Sequence, residues 1–361
     1  MTLFKKIHLK SLGVAAVLVL AGAVVPTAAW AASYTLLNVS YDPTRELYAD
    51  INKAFTADWQ QKNPDDSLSL QSSNGGSDKQ ALAVINGLPA DVVTLANSAD
   101  VQAISDKAHL FGSDWATAYP NNATPYTSVI VFLVRKGNPK NIQDWGDLVN
   151  SGVTVVAPSP KTSGGGRYDY VAARIWALKQ TLGDLSELNN PADASASADA
   201  VKKAQAYLTQ LYQHIPVLDS GARGSTITFT QRDIGDVELT YENEAYQTQK
   251  EFPNTYDIVV PSITIEVDPP VAVVTQNAAA HGVSDIAKAY LEFLYSPEGQ
   301  KIIAHDFYRP IYPQYADQDD LKKFVKVDAE PISRFGGWPR AQHDLFAAGG
   351  EFDQIYQPPT Q

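Results

Sequence analysis

The chain has 361 residues, no cysteine and a formal net charge of −12, with 44% hydrophobic and 19% charged residues. That length suits one large or two medium domains with ample core, and the missing cysteines exclude disulfides and thiol chemistry. An acidic surface argues against nucleic acid and anionic lipid, and six dispersed histidines, none three or four residues from another, point to no metal site and no cofactor.

Taken in chain order, residues 1–31 read as a cleavable secretion signal. Lys5, Lys6 and Lys10 make a basic start, 12–25 is an apolar run, and Ala29-Trp30-Ala31 supplies the small residues of a cleavage site. The run is short for a membrane span, which needs about 20 residues. Its removal takes away three lysines and no acid, so the mature charge falls to −15.

Strand-like and helix-like segments then alternate. Residues 34–40 read as a strand, followed by a turn and a helix over 45–61 with Leu47, Ile51, Phe55 and Trp59 at helical spacing. A second strand, 68–71, ends in Asn74-Gly75-Gly76-Ser77. Ser77 and Gln80 have the spacing of a capping box for a helix over 78–88. With a third strand at 90–95, this βαβαβ order predicts a mostly parallel sheet with helices on both faces.

Residues 128–135 form a strong apolar strand, 141–148 a helix and 153–157 another strand. Thr162-Ser163-Gly164-Gly165-Gly166 precedes a helix over 168–181. The Ala/Ser/Asp-rich stretch 191–200 reads as a solvated loop before a helix over 201–214. Ser220-Gly221-Ala222-Arg223-Gly224-Ser225 then opens a short helix, with a strand at 237–241. Strands at 258–261 and 271–275, an amphipathic helix over 284–295 and a further helix from Ser296-Pro297 complete the pattern. Phe335, Trp338 and Phe346 are available to pack the tail.

The three glycine-and-serine turns each lie between a strand and a helix. A helix start exposes backbone N–H groups and the positive end of the macrodipole, and so can hold an anion. Open α/β sheets bind ligands beyond the carboxyl ends of their strands, where Tyr41-Asp42-Pro43 adds a fourth candidate. Taken singly, each turn reads as a helix cap. Together they suggest a pocket for a small oxyanion held by local dipoles, because the net charge repels it. Such a pocket discriminates: a protonated oxyanion brings a proton with no acceptor, at a cost of about 1–3 kcal/mol.

Longer stretches carry a family likeness. Asn38-Val-Ser-Tyr-Asp-Pro-Thr-Arg-Glu-Leu-Tyr48, Phe132-Leu-Val-Arg-Lys-Gly-Asn-Pro-Lys140, Pro160-Lys-Thr-Ser-Gly-Gly165 and Val217-Leu-Asp-Ser-Gly-Ala-Arg-Gly-Ser225 resemble signatures of periplasmic sulfate-binding proteins of ABC importers. Tyr295-Ser-Pro-Glu-Gly-Gln300 and Phe307-Tyr-Arg-Pro310 do so as well, and the likeness spans 36–354. It implies an α/β, two-lobed type II periplasmic-binding-protein fold, with mostly parallel sheets flanked by helices and the ligand in the interlobe cleft. One lobe would comprise 32–125 and 246–312, the other 126–245, with 313–361 a helical tail packed on them.

By the same resemblance, sulfate would be held by backbone N–H groups of Asp42, Ser77, Gly164, Gly165 and Ala222, by the Ser163 hydroxyl and by Tyr241. Arg223 would lie beside the anion without touching it, with Asn74 and Asp78 next to the donors. The implied partners are the sulfate or thiosulfate anion and a membrane permease. The implied state is a periplasmic monomer that closes on its ligand and catalyses nothing.

The chain departs from the family pattern in places. Asn74-Gly-Gly-Ser-Asp-Lys79 replaces His-Gly-Gly-Ser-Gly-Lys, Gly166 replaces a common alanine, and Asn97-Ser98 replaces a small apolar pair. Tyr241 stands where sulfate binders carry tryptophan; its hydroxyl donates from a different reach and can also accept a proton, which weakens donor-only selectivity. By the resemblance, thiosulfate-binding relatives lack tryptophan there too, which keeps thiosulfate in play. A reading from another class is a secreted hydrolase of phosphate or sulfate esters with Ser163 or Ser77 as nucleophile. It lacks a histidine base near either serine and a metal constellation to activate water.

Overall fold

The computed structural model describes residues 32–189 and 194–356, so the expected signal, 1–31, lies outside the described residues. The first run of elements is β1 (Ser33–Tyr41), α1 (Arg45–Lys62), β2 (Ser67–Gly75), α2 (Ser77–Ile85), β3 (Val92–Thr94), α3 (Ser98–Ala108) and the short α4 (Pro120–Ala123). The second is β4 (Tyr126–Arg135), β5 (Val155–Pro158), α5 (Gly164–Leu182), α6 (Ala194–Gln213), β6 (Leu218–Asp219), α7 (Ala222–Thr230), β7 (Val237–Tyr241), α8 (Glu242–Glu251), β8 (Tyr256–Val259) and β9 (Thr264–Val267). The chain returns through β10 (Val271–Val273), α9 (Thr275–Ala280), α10 (Ser284–Phe293), α11 (Pro297–His305) and β11 (Arg309–Pro310). It ends in α12 (Gln318–Leu321), β12 (Ala329–Glu330), α13 (Gly337–Ala341) and α14 (Glu351–Ile355).

Two sheets organise these elements. The first has the order β10-β3-β1-β2, with β1 parallel to both β2 and β3 and with β10 antiparallel to β3. Strand side chains alternate between faces, so Val92 joins the core under α1 and α10 while Val93 joins the one under α2 and α3. Both faces are covered, as a parallel sheet requires. On α1, Leu47, Tyr48, Ile51 and Phe55 recur at helical spacing and are buried there.

The second sheet runs β12-β9-β4-β7-β5-β6, and its parallel strands β5, β6 and β7 point their carboxyl ends the same way. Ile130, Phe132, Val155 and Leu239 face α5 and α6 on one side, while Val131, Leu133 and Phe229 pack on the other. The tail settles here: Trp338, Phe346 and Phe352 enter the α5 side of this core.

Several sequence expectations are corrected. The segment after Tyr246, read as part of the first lobe, contributes β8 and β9 to the second sheet by antiparallel pairing with β4. An apolar strand does not announce which sheet it will join. Residues 194–200, read as loop, already belong to α6, where Ala200 is buried; alanine's high helix propensity outweighs the serines and aspartate. The stretch 141–148 yields only a 3-10 turn at Trp145–Val149, capped by Asp144 and Asp147. The capping box at Ser77 does not form: Gly76 is the N-cap of α2, and the Gln80 amide donates to the carbonyls of Ser40 and Ser73.

Candidate functional site

Five strand ends converge between the sheets. β1 delivers Asp42 to the first position of a one-turn helix, β2 delivers Ser77 to the first position of α2, and β6 leads to Ala222 at the start of α7. After β5, Ser163 caps α5, whose first two residues are Gly164 and Gly165; Tyr241 at the end of β7 caps α8. First-turn N–H groups have no acceptor within their own helix. These helix starts meet at a small cavity, about 10 Å³, lined by Asp42, Ser77, Ser163, Gly164, Gly165, Ala222 and Tyr241, together with Tyr41, Pro43, Gly75 and Gly76. All seven expected ligand-facing residues are thus brought to one place.

The glycines serve close approach and not an unusual backbone angle. Gly76 has φ −56°, which any residue adopts, but a Cβ there would come within 3.0 Å of the carbonyl oxygens of Thr162 and Ser220 from the facing half. A Cβ on Gly164 would likewise collide with Ala96. The two halves meet through positions where nothing larger than hydrogen fits.

The hydroxyls are disposed to donate. Ser163 Oγ accepts from the Gly166 N–H at 3.4 Å, which leaves its proton free. The Tyr241 hydroxyl is buried and without a hydrogen-bond partner among the described residues. Its ring is held edge-on by Tyr41 and Tyr168, with centroids 5.9 and 6.2 Å away. Burial, with Tyr41 and nearby carboxylates adding to it, pushes the phenol well above its ordinary range, so it stays protonated. Ser77 differs: its hydroxyl donates to Asp100 at 2.5 Å and accepts from the Ala96 N–H, so of its donors only the first-turn backbone N–H is left for a ligand.

Among the described residues that line the cavity there is no cationic side chain. Arg223 lies outside the cavity lining and pairs with Glu244 at 3.1 Å and Glu251 at 3.6 Å. Burial pushes the Asp42 carboxyl up, opposed by the charges of Arg45, Arg223 and Lys79. Asn74 also lies outside the lining, its amide reaching the Tyr41 carbonyl at 3.5 Å. Asp78, the carboxylate next to Ser77, is engaged by Arg167 at 2.8 Å.

Sequence reasoning missed Arg167. It is almost fully buried on α5 and reaches across to the first half, binding Asp100 at 2.7 Å and Asp78 at 2.8 Å, with Nε donating to the Pro160 carbonyl. Asp100 also accepts from Asn97 at 2.9 Å. One carboxylate therefore holds both Ser77 and Arg167. Burial alone would lower the Arg167 guanidinium, but the charges of Asp100 and Asp78 outweigh it and raise it. The one sequence signal was a lone arginine among the glycines of a helix start; its partners lie far away in sequence.

A cleft between two α/β sheets, ringed by helix N-termini and neutral hydroxyls, defines a receptor for a small anion. The chain belongs to the bacterial extracellular solute-binding protein family, which it matches over residues 36–309. It is 46% identical to a sulfate-binding protein of Escherichia coli K12, across 91% of this chain and 95% of that one. It is 44% identical to a thiosulfate-binding protein of Pseudomonas aeruginosa, across 91% and 93%. Among solved structures, the sulfate-binding protein SubI from Mycobacterium tuberculosis H37Rv superimposes with a TM-score of 0.73 at 27% identity, covering 87% of this chain and 99% of that one.

Proposed function

We propose that this chain captures sulfate in the periplasm and delivers it to the membrane permease of an ABC importer. The observation that supports this reading is that Asp42, Ser77, Ser163, Gly164, Gly165, Ala222 and Tyr241 line one cavity; the first-turn N–H groups of Asp42, Ser77, Gly164, Gly165 and Ala222 and the hydroxyls of Ser163 and Tyr241 would be its donors. Neutral donors can replace the hydration shell of a dianion without adding a permanent charge. A micromolar site corresponds to about −8 kcal/mol, modest for seven hydrogen bonds because dehydrating a dianion is costly. The relative named for sulfate at 46% identity supports the same ligand.

Thiosulfate is the second reading. It is supported by tyrosine at 241 in place of the tryptophan that the resemblance implies for sulfate binders, and by the relative named for thiosulfate at 44% identity.

The mechanism is cleft closure by a monomer, with no chemical step. One lobe comprises 32–125 and 269–312 and the other 126–268; of the tail 313–356, α12 lies against α11 of the first, while β12, α13 and α14 pack on the second. Because donors come from both lobes, the anion stabilises the closed form through contacts the open form cannot make.

Calorimetric competition among sulfate, thiosulfate, molybdate and phosphate at two pH values tests the reading. Sulfate or thiosulfate is expected to displace the others, and phosphate to bind weakly at neutral pH. Phosphate binding as tight as sulfate would overturn the donor-only account, and release of sulfate from an ester by pure protein would overturn the non-catalytic one.

A further inference from the structure

Tyr168 stands where the two sheets meet the segment that joins them. Its side chain on α5 is fully buried, and its hydroxyl lies 2.9 Å from the carbonyl oxygen of Ala96, beyond β3, and 2.9 Å from Oδ1 of Asp268. The backbone N–H of Asp268 donates to the same hydroxyl at 3.3 Å. Asp268 directly follows β9 and is followed by Pro269, Pro270 and β10, so it sits on the crossing from the second sheet to the first.

The hydrogen count here is short by one. A phenol has one proton to give and two lone pairs to fill. Two acceptors, a carbonyl and a carboxyl oxygen, compete at equal distance for that one proton. With Asp268 ionised, one of them lacks this donor. With Asp268 protonated, every group is served. The acid O–H donates to the Tyr168 oxygen, Tyr168 donates to Ala96, and the Asp268 N–H fills the remaining lone pair. We propose that Asp268 is a proton-binding site coupled to cleft closure, so that the closed protein takes up a proton at this carboxyl together with its anion.

The surroundings act in the same direction. Asp268 is faced by Tyr168 from α5, by Trp338 from α13 and by Glu266 from β9. Its carboxyl is raised from 3.8 to about 6: burial is the largest cause, hydrogen bonding from Tyr168 and Trp338 opposes it, and the Glu266 charge adds to the rise. Trp338 packs edge-on against Tyr168 at 4.8 Å, and Tyr168 in turn packs against Tyr241. A dianion at Tyr241 brings further negative charge to this stack and favours the protonated acid. Linkage makes the effect reciprocal: the proton tightens the anion site as much as the anion tightens the proton site.

The test rests on sulfate being the ligand, and it is built to fail separately from that reading. Sulfate is titrated calorimetrically into the full-length protein between pH 5.5 and 8, in paired buffers of different ionisation heat. Wild type is expected to absorb a fraction of a proton per sulfate, and its affinity to fall as pH rises from the Asp268 midpoint of the free protein to the higher midpoint of the sulfate-bound one, by up to about 10-fold per unit. Asp268→Asn carries a permanent donor; it should absorb none there and bind at pH 8 as wild type does at low pH. Asp268→Ser, also a neutral donor, serves if the Asn variant does not fold. Equal proton uptake in wild type and variant, or none in wild type, overturns the proposal.

If sulfate does not bind at any pH, the ligand reading fails, and urea unfolding still reads the proton site. The folded acid titrates higher than the unfolded one, so its stabilising contribution is complete below about pH 4 and lost as pH rises to about 6. The unfolding equilibrium of wild type relative to Asp268→Asn should shift roughly 100-fold across that window. Parallel pH profiles overturn the proposal.

Discussion

The hydroxyl of Tyr241 is placed by two aromatic edges and by no polar group among the described residues. An unmatched donor in a buried place is a cost that a ligand can remove. Tyr241→Phe should therefore weaken sulfate about 10–100-fold, the worth of one hydrogen bond to a charged group, while leaving the thermal midpoint of the empty protein unchanged or higher. Unchanged affinity would show that the hydroxyl does not reach the anion. Arg167 makes the opposite case, because every one of its contacts is internal. Arg167→Met leaves two carboxylates without their cation and should destabilise the closed protein by about 3–5 kcal/mol in denaturant titration. Lysine there should rescue little, since one ammonium cannot span Asp78, Asp100 and the Pro160 carbonyl together.

At the scale of elements, α5 concentrates the work of the site. Its first turn supplies Gly164 and Gly165, its second supplies the cross-half arginine, and Tyr168 meets the crossing segment. Next to them, Asp169 is fully buried and neither of its carboxyl oxygens has a hydrogen-bond partner among the described residues. Burial, with the Glu238 charge adding, pushes this acid well above the usual range. The folded form thus holds the proton more tightly than the unfolded one, so its contribution to stability is complete below about pH 4 and declines as pH rises. Asp169→Asn should accordingly raise the thermal midpoint more at pH 8 than at pH 4. An equal effect at both values would mean the carboxyl is ionised in the fold.

The start of α5 also shows what could be read from the chain. The glycine turn, the strand before it and the donors it offers are consecutive residues, so local rules found them. Tyr241 and Ala222 needed the longer family-like motifs, since nothing local marks a tyrosine or an alanine as facing a ligand. Arg167, Asp100 and Asp78 meet only after two sheets have folded and closed, across separations of 67 and 89 residues. The segment that forms β8 and β9 falls in the other lobe for a related reason: an apolar pattern fits either sheet, and only pairing with β4 decides, which also makes a strand of 264–267.

The whole molecule carries −12 as written, a field that opposes the approach of a dianion. Attraction is left to helix starts, whose reach is short. Association should then quicken as ionic strength rises through ~0.1 M, the reverse of charge-steered binding, because salt screens the global repulsion more than the buried dipoles. Stopped-flow measurement of the sulfate on-rate against neutral-salt concentration checks this; an on-rate that falls with salt would place an unnoticed cationic path to the cleft. Dissociation, governed by buried hydrogen bonds, should change little over the same range.

The glycines that meet across the cleft have one more consequence. Gly76 and Gly164 keep backbone angles open to any amino acid, and only the facing half forbids a side chain. A methyl at either place strains nothing while the halves are apart. A library selected for soluble, heat-resistant protein would therefore retain such changes, whereas a library selected for growth on scarce sulfur would lose them. Subtracting one mutational map from the other would trace the surface along which the halves touch, residue by residue, without any structure of the open state.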